Sequence, residues 1–164
     1  MIDKIAGIDF RESEPRDEGF LRALYRESRD AELDVTGWSD AAKQAFTDSQ
    51  FTLQDRHYRN QFRAASFLVI ERAGAPIGRL YLCRDERELR LIDVLLAASA
   101  RNAGIGTAIL KGLQEDAARH GIAVTLHVEA HNPARALYAR LGFREAAIEG
   151  VYVPMRWDPP VNRR

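Results

Sequence analysis

The stretch 88–113 constrains the fold more than any other part of this chain. ELRLIDVLL (88–96) is a β-rich run with apolar residues on both faces, as expected of a strand inside a sheet. It leads into Arg101-Asn102-Ala103-Gly104-Ile105-Gly106-Thr107, and a helical stripe of Ile105, Ala108, Ile109, Gly112 and Leu113 begins at once. A central strand that passes through a tight glycine turn into a helix implies a sheet with helices packed on it. Two glycines one residue apart let backbone approach a ligand closely. The unpaired N–H groups of the first helical turn, together with the helix dipole, favour an anion such as phosphate. Arg101 adds a fixed positive charge at the same mouth.

The rest of the chain supplies the sheet and its helices. KIAGIDF (4–10) reads as a short strand, and Phe20, Leu21, Leu24 and Tyr25 give 18–33 helical spacing. Thr36-Gly37 is a break, and Ser39 is placed to cap a second helix with Ala42, Ala45 and Phe46 on one face. That helix continues or restarts through Phe51, Leu53 and Tyr58. SFLVIER (66–72) and PIGRLYLCRDE (76–86) form a hairpin about the Ala73–Pro76 turn. IAVTLHVEA (122–130) alternates Val124, Leu126 and Val128 with Thr125, His127 and Glu129. Asn132-Pro133 starts a helix that stops at Gly142, and Phe143–Ile148 and Tyr152–Trp157 read as two last strands. The order β, α, α, β, β, β, α, β, α, β, β specifies an α/β or α+β sheet flanked by helices.

At 164 residues there is room for one domain, expected over 1–158, with a short frayed tail at 159–164 behind Pro159-Pro160. Lys plus Arg and Asp plus Glu both number 24, so no global field draws in nucleic acid or an anionic membrane. Apolar runs fall far short of the ~18 residues that span a bilayer. The single cysteine, Cys83, excludes an internal disulfide and a multi-cysteine zinc site. These features point to a cytoplasmic protein without nucleic-acid or membrane partners.

Three anion-binding loops compete for residues 101–107. A P-loop needs Lys-Ser or Lys-Thr directly after its last glycine, whereas Lys111 lies seven residues after Gly104 and precedes Gly112. A dinucleotide fingerprint needs a third glycine where Ile109 stands, and an acidic residue about 20 residues on. The third loop fits. Arg101-Asn102-Ala103-Gly104-Ile105-Gly106, followed by Asn132-Pro133-Ala134-Arg135-Ala136-Leu137-Tyr138-Ala139-Arg140-Leu141-Gly142-Phe143, resembles the GCN5-related N-acetyltransferase (GNAT) superfamily. The match is close over 88–143, and the strand order agrees from about 66 to 157. Residues 1–65 agree in outline.

The resemblance implies a mixed, mostly antiparallel sheet of six or seven strands, split between 88–96 and 122–130. It implies acetyl-CoA as acyl donor; no metal is expected, because the residues offer no complete ligand set. The backbone of Ala103, Gly104, Ile105, Gly106 and Thr107 would hold the pyrophosphate, with Arg101 and Asn102 at its edge. Backbone groups of Leu95, Leu96 and Ala98, on a bulged strand, would pair with the pantetheine arm. Asn132 would touch the cofactor, and Tyr138 would stand near the thioester sulfur. Many relatives have Pro at Ala98 and Arg-Gly at Arg101-Asn102; neither departure removes a backbone amide.

The reaction so implied is acetyl transfer to a primary amine by direct attack in a ternary complex. A lysine-like amine of pKa near 10.4 is neutral in only about one part in a few thousand at pH 7, so a general base helps. The leaving thiol, of pKa about 8.5, needs only a weak acid such as tyrosine. Candidate bases are Glu88, 13 residues before Arg101 where several relatives carry a glutamate, and Asp93, nearer the expected bulge. In a regular strand the two face opposite ways, so at most one of them would line the cleft, and Glu88 is slightly preferred.

Each assignment has a plainer counterpart. Tyr138 lies on the apolar stripe of its helix and suits a core, and Glu88 belongs to a run of turn charges. His127, Glu129 and His131 would share a face only if the strand ran on to His131, and they lack a fourth ligand. His57-Tyr58 reads as a surface feature, and Trp38, Phe46 and Phe51 as core. A protein of this fold could also bind acyl-CoA as a sensor or scaffold, or transfer another acyl group. The acceptor is a small-molecule or peptide amine, and a homodimer is an assembly the resemblance allows.

Overall fold

The computed structural model describes residue 5 and residues 7–161. Among these, seven strands form one sheet: β1 (Ile8–Glu12), β2 (Ser66–Arg72), β3 (Ala75–Arg84), β4 (Glu88–Leu96), β5 (Ala123–Glu129), β6 (Arg144–Glu145) and β7 (Tyr152–Trp157). The helices are α1 (Glu18–Asp34), α2 (Asp40–Gln61), α3 (Ile105–His120) and α4 (Ala134–Arg140). The sheet order is β1-β2-β3-β4-β5-β7-β6. Every neighbouring pair is antiparallel except β4 and β5, which α3 joins as a crossover.

Local chemistry explains the boundaries. Ser39 Oγ accepts the Ala42 N–H at 3.2 Å and caps α2, which runs unbroken to Gln61. The hairpin turns on Ala73 and Gly74, at φ of 51° and 78°, the paired left-handed conformation that a two-residue turn between twisted strands needs. α3 ends on Gly121 at φ 65°. Three expectations shift. The first strand begins at Ile8, after a turn at Gly7, while Lys4 and Ala6 of the expected strand lie outside the described residues, as do residues 162–164 of the tail. Ala42 and Ala45 face solvent, and α2 buries Thr47 and Phe51 instead. The sixth strand shrinks to two residues.

The two faces of the sheet are covered differently. Leu80, Leu82, Leu89, Leu91, Val124, Leu126 and Val128 form the main core with Ile109 and Leu113 of α3 and Tyr138 of α4. The opposite face carries Arg79 and Tyr81. There α1 and α2 pack through a smaller cluster of Leu21, Tyr25 and Phe51. This helix pair covers only part of that face, and Tyr152 on β7 stays 45% exposed.

Candidate active site

The site grows from a strand that is paired on one side only. β4 and β5 share four rungs, from Glu88↔Ala123 to Leu91↔Leu126. β4 continues to Leu96 and β5 to Glu129, so their facing edges part beyond Leu91. On its other edge β4 stays paired with β3 to Leu96.

A bulge lies at the point of parting. Leu82 pairs with Leu91 and Tyr81 with Asp93, leaving Ile92 as the extra residue. The bulge resets the alternation. Cys83 opposite Arg90 and Tyr81 opposite Asp93 fall on one face, so Glu88, Arg90 and Asp93 all face the α1–α2 side. This corrects the expectation of opposite faces for Glu88 and Asp93, which assumed a regular strand. What separates them is distance: Glu88 stands at the closed end of the rungs, about 13 Å from Asp93 at ~3.3 Å per residue.

Asp93 has a buried partner that the sequence did not announce. Its Oδ2 accepts from Arg79 Nε at 2.6 Å, and Arg79 is 2% exposed. Arg79 also donates to Gln54 Oε1 of α2 at 2.8 Å and lies over the Tyr81 ring at 4.9 Å. Burial lowers the Arg79 pKa, but attraction to Asp93 outweighs it and the net direction is upward. Asp93 itself keeps a side-chain exposure of 24%.

Tyr138 comes from the opposite face. It is 7% exposed and packs on Phe143 with ring centroids 5.8 Å apart, so it is a core residue as its spacing suggested. Burial, and secondarily the Asp93 charge, push its phenol up to about 12. A phenol shifted in this way stays protonated throughout the neutral range.

The glycine loop sits beside the open edge. Asn102 and Gly104 adopt φ of 61° and 77°, and the first backbone bond of α3 runs from the Ala108 N–H to Gly104 O at 3.0 Å. The N–H groups before it have no intrahelical acceptor. A Cβ on Gly106 would meet nothing nearer than Leu96 Cδ1 at 3.9 Å. Packing within the protein therefore does not require glycine there, and the space over its backbone suits an approaching phosphate.

Neighbouring expectations divide. The Leu95 carbonyl lies against Gly78, where a Cβ would come within 2.4 Å of it, and the Ala97 N–H donates to Ile77 O. Leu95 thus turns its polar groups to β3, and antiparallel alternation turns those of Val94 and Leu96 to the split. Val94 replaces Leu95 as a residue whose backbone is open there. Leu96 O accepts from Arg101 Nε at 3.1 Å, and the Ala98 N–H donates to Glu27 of α1 at 2.5 Å. Asn132 Oδ1 accepts the Ala134 N–H at 2.9 Å, capping α4.

β5 ends at Glu129, so His131 lies in the turn beyond and leaves the face of His127 and Glu129. No group of three metal-ligating side chains occurs among the described residues. His127, the first β5 residue past the last rung, has Nδ1 against the Arg90 guanidinium and Nε2 3.5 Å from Glu149. Nor is Tyr58 the surface residue expected. Its ring meets Tyr81 edge to face, with centroids 6.1 Å apart.

The model of the GNAT acetyltransferase family matches residues 20–143. The chain belongs to that family and is an acyltransferase. Its fold is also that of solved acetyltransferases. PaiA N-acetyltransferase from Thermoplasma acidophilum, solved in complex with coenzyme A, is 20% identical, with a TM-score of 0.68 over 92% of this chain and 98% of that one. Spermidine N-acetyltransferase from Vibrio cholerae, in complex with CoA and spermine, is 19% identical, with a TM-score of 0.62 over 94% and 96%. Ard1 from Thermoplasma volcanium is 20% identical, with a TM-score of 0.58 over 94% and 99%. At such identity the likeness establishes the fold. A search of curated proteins found no match. No helix among the described residues is long and apolar enough to cross a membrane.

Proposed function

We propose that this GNAT protein transfers the acetyl group of acetyl-CoA to a primary amine by direct attack in a ternary complex. The observation that carries this reading is the bulged split itself. The glycine loop lies against Leu96 beside it, Tyr138 belongs to the core on the α3–α4 side, and Asp93 faces the α1–α2 side. In this reading the amides of Ala103–Thr107, with Arg101, hold the pyrophosphate, and the backbone of Val94 and Leu96 aligns the pantetheine. Asn132 borders the donor through its free amide nitrogen.

The chemistry then divides between the two sides. The neutral amine attacks the thioester carbonyl; its C–N bond forms as the C–S bond breaks, and the electron pair goes to sulfur. Tyr138 supplies a proton to the leaving thiolate. The amine's surplus proton passes to Asp93, directly or through water, and then to solvent. Asp93 is preferred over Glu88 because it lies at the split. The open edge beside the bulge offers N–H donors to the oxyanion.

Thiol release from acetyl-CoA, followed by mass analysis of a panel of primary amines, tests the proposal. Thiol released in step with an acetylated amine is expected. Tight acetyl-CoA binding without any acetylated product would contradict it and leave a donor-binding sensor.

A further inference from the structure

On the donor side, α1 reaches the end of β4 through one carboxylate. Leu21 and Leu24 are buried on the inner face of α1, and Glu27 continues that row one turn further on. Ala98 opens a single 3-10 turn, Ala98–Ala100, entered from an extended Ala97 at ψ 147°. An N–H at the start of such a turn has no partner within it. Glu27 Oε1 accepts this N–H at 2.5 Å, and the same oxygen stands 3.9 Å from Arg101 Nη2. Arg101 in turn donates from Nε to Leu96 O at 3.1 Å. One carboxylate and one guanidinium thus join α1, the end of β4 and the start of the glycine loop.

These contacts engage the groups that the donor needs. In the transferase reading Arg101 meets the pyrophosphate, and the backbone of Leu96 meets the pantetheine. For Leu96 O to receive the pantetheine, Arg101 Nε must leave it. The guanidinium then turns between two anions, the Glu27 carboxylate and the pyrophosphate. Glu27 keeps its place, because a backbone N–H bonded to a carboxylate is among the stronger hydrogen bonds. Glu27 and Arg101 have side-chain exposures of 40% and 42%, so their pairing adds little to stability. Its consequence falls on the donor.

We propose that Glu27 is a positioning residue for Arg101: held by the Ala98 N–H, its carboxylate competes with the donor pyrophosphate for the guanidinium and so lowers the affinity for CoA. The same competition draws Arg101 back to Glu27 and Leu96 O as CoA leaves. This rests on the transferase reading above and adds to it a control of donor affinity exerted from α1.

Calorimetric titration with CoA tests the proposal. Glu27→Gln keeps an oxygen for the Ala98 N–H and removes the charge. The Kd of Glu27→Gln for CoA should fall about threefold, or ~0.7 kcal/mol at about 1.4 kcal/mol per tenfold, within the range of an exposed ion pair. The thermal midpoint should stay that of wild type. In an Arg101→Gln background, which retains the loop amides, adding Glu27→Gln should leave the Kd unchanged, because the contested guanidinium is gone. A merely structural role for Glu27 would give weaker or unaltered CoA binding in Glu27→Gln, and either result overturns the proposal. A gain that persists in the Arg101→Gln background also overturns it, since Glu27 would then act on the pyrophosphate by direct repulsion. Folded wild type that binds no CoA overturns the donor reading beneath it.

Discussion

Arg79 Nε lies 2.6 Å from Asp93 Oδ2, and through Gln54 the same guanidinium reaches α2 at 2.8 Å. One buried side chain thereby ties the bulge of β4 to α2 of the helix pair on that face of the sheet. Removing one partner of such a pair leaves a charge without compensation. Arg79→Met should lower unfolding free energy by about 3 kcal/mol. The double variant Arg79→Met with Asp93→Leu should recover most of that loss while remaining inactive. Chemical denaturation and a thiol-release assay check both.

Tyr138 is held neutral by burial, with a phenol pKa of about 12. Its folded value lies above the ordinary value of about 10, so the acid form persists through neutral and alkaline pH. Tyr138→Phe should lower kcat about 10²-fold with little change in the KM for acetyl-CoA. The wild-type rate should show no alkaline fall attributable to this residue below about pH 11. A pH–rate profile of both proteins checks this.

Gly106 separates stability from function. A Cβ there would meet only Leu96 Cδ1, at 3.9 Å, and alanine is the better helix former. Gly106→Ala should raise stability by about 0.5–1 kcal/mol and weaken acetyl-CoA binding at least tenfold. Thermal unfolding and calorimetric titration of one preparation measure the two effects.

The N-terminal segment has its own acid-sensitive clasp. Arg11 donates to both oxygens of Asp17 at 2.7 Å and to Glu71 at 2.8 Å, tying β1 and β2 to the turn before α1. Hydrogen bonds from Arg11 hold the Asp17 carboxyl down at about 2, below its ordinary 3.8. A depressed carboxylate stabilises the fold above its unfolded value, and that contribution is lost as pH falls through the folded one. Asp17→Asn should therefore be less stable than wild type at pH 7, with the difference shrinking between about pH 4 and pH 2. Unfolding curves across that range measure it.

Much of the fold was legible because the chain punctuates its elements locally. Ser39 caps α2, Gly121 stops α3, and the Ala73-Gly74 turn sets the hairpin. The loop 101–107 and its motif partner 132–143 carried the family. What sequence alone could not provide was the place of the bulge. Ile92 is an ordinary β-branched residue, and its exclusion from the ladder depends on β3, not on its own chemistry. That single residue decides which face Asp93 occupies and which backbone groups open to the split. Arg79 and Tyr58 were missed for a related reason. Arg79 sits in a strand as an unmarked charge and Tyr58 on a helix as an unmarked ring, and only tertiary packing brings them to Asp93 and Tyr81.

The most direct test of the central assignment is calorimetric titration of the folded protein with acetyl-CoA and with CoA at neutral pH, beside Gly104→Glu. The loop assignment predicts micromolar binding to wild type. It predicts loss of binding in the variant, whose carboxylate would stand where the pyrophosphate belongs. Absence of binding by folded wild type, or unchanged affinity in Gly104→Glu, would contradict it.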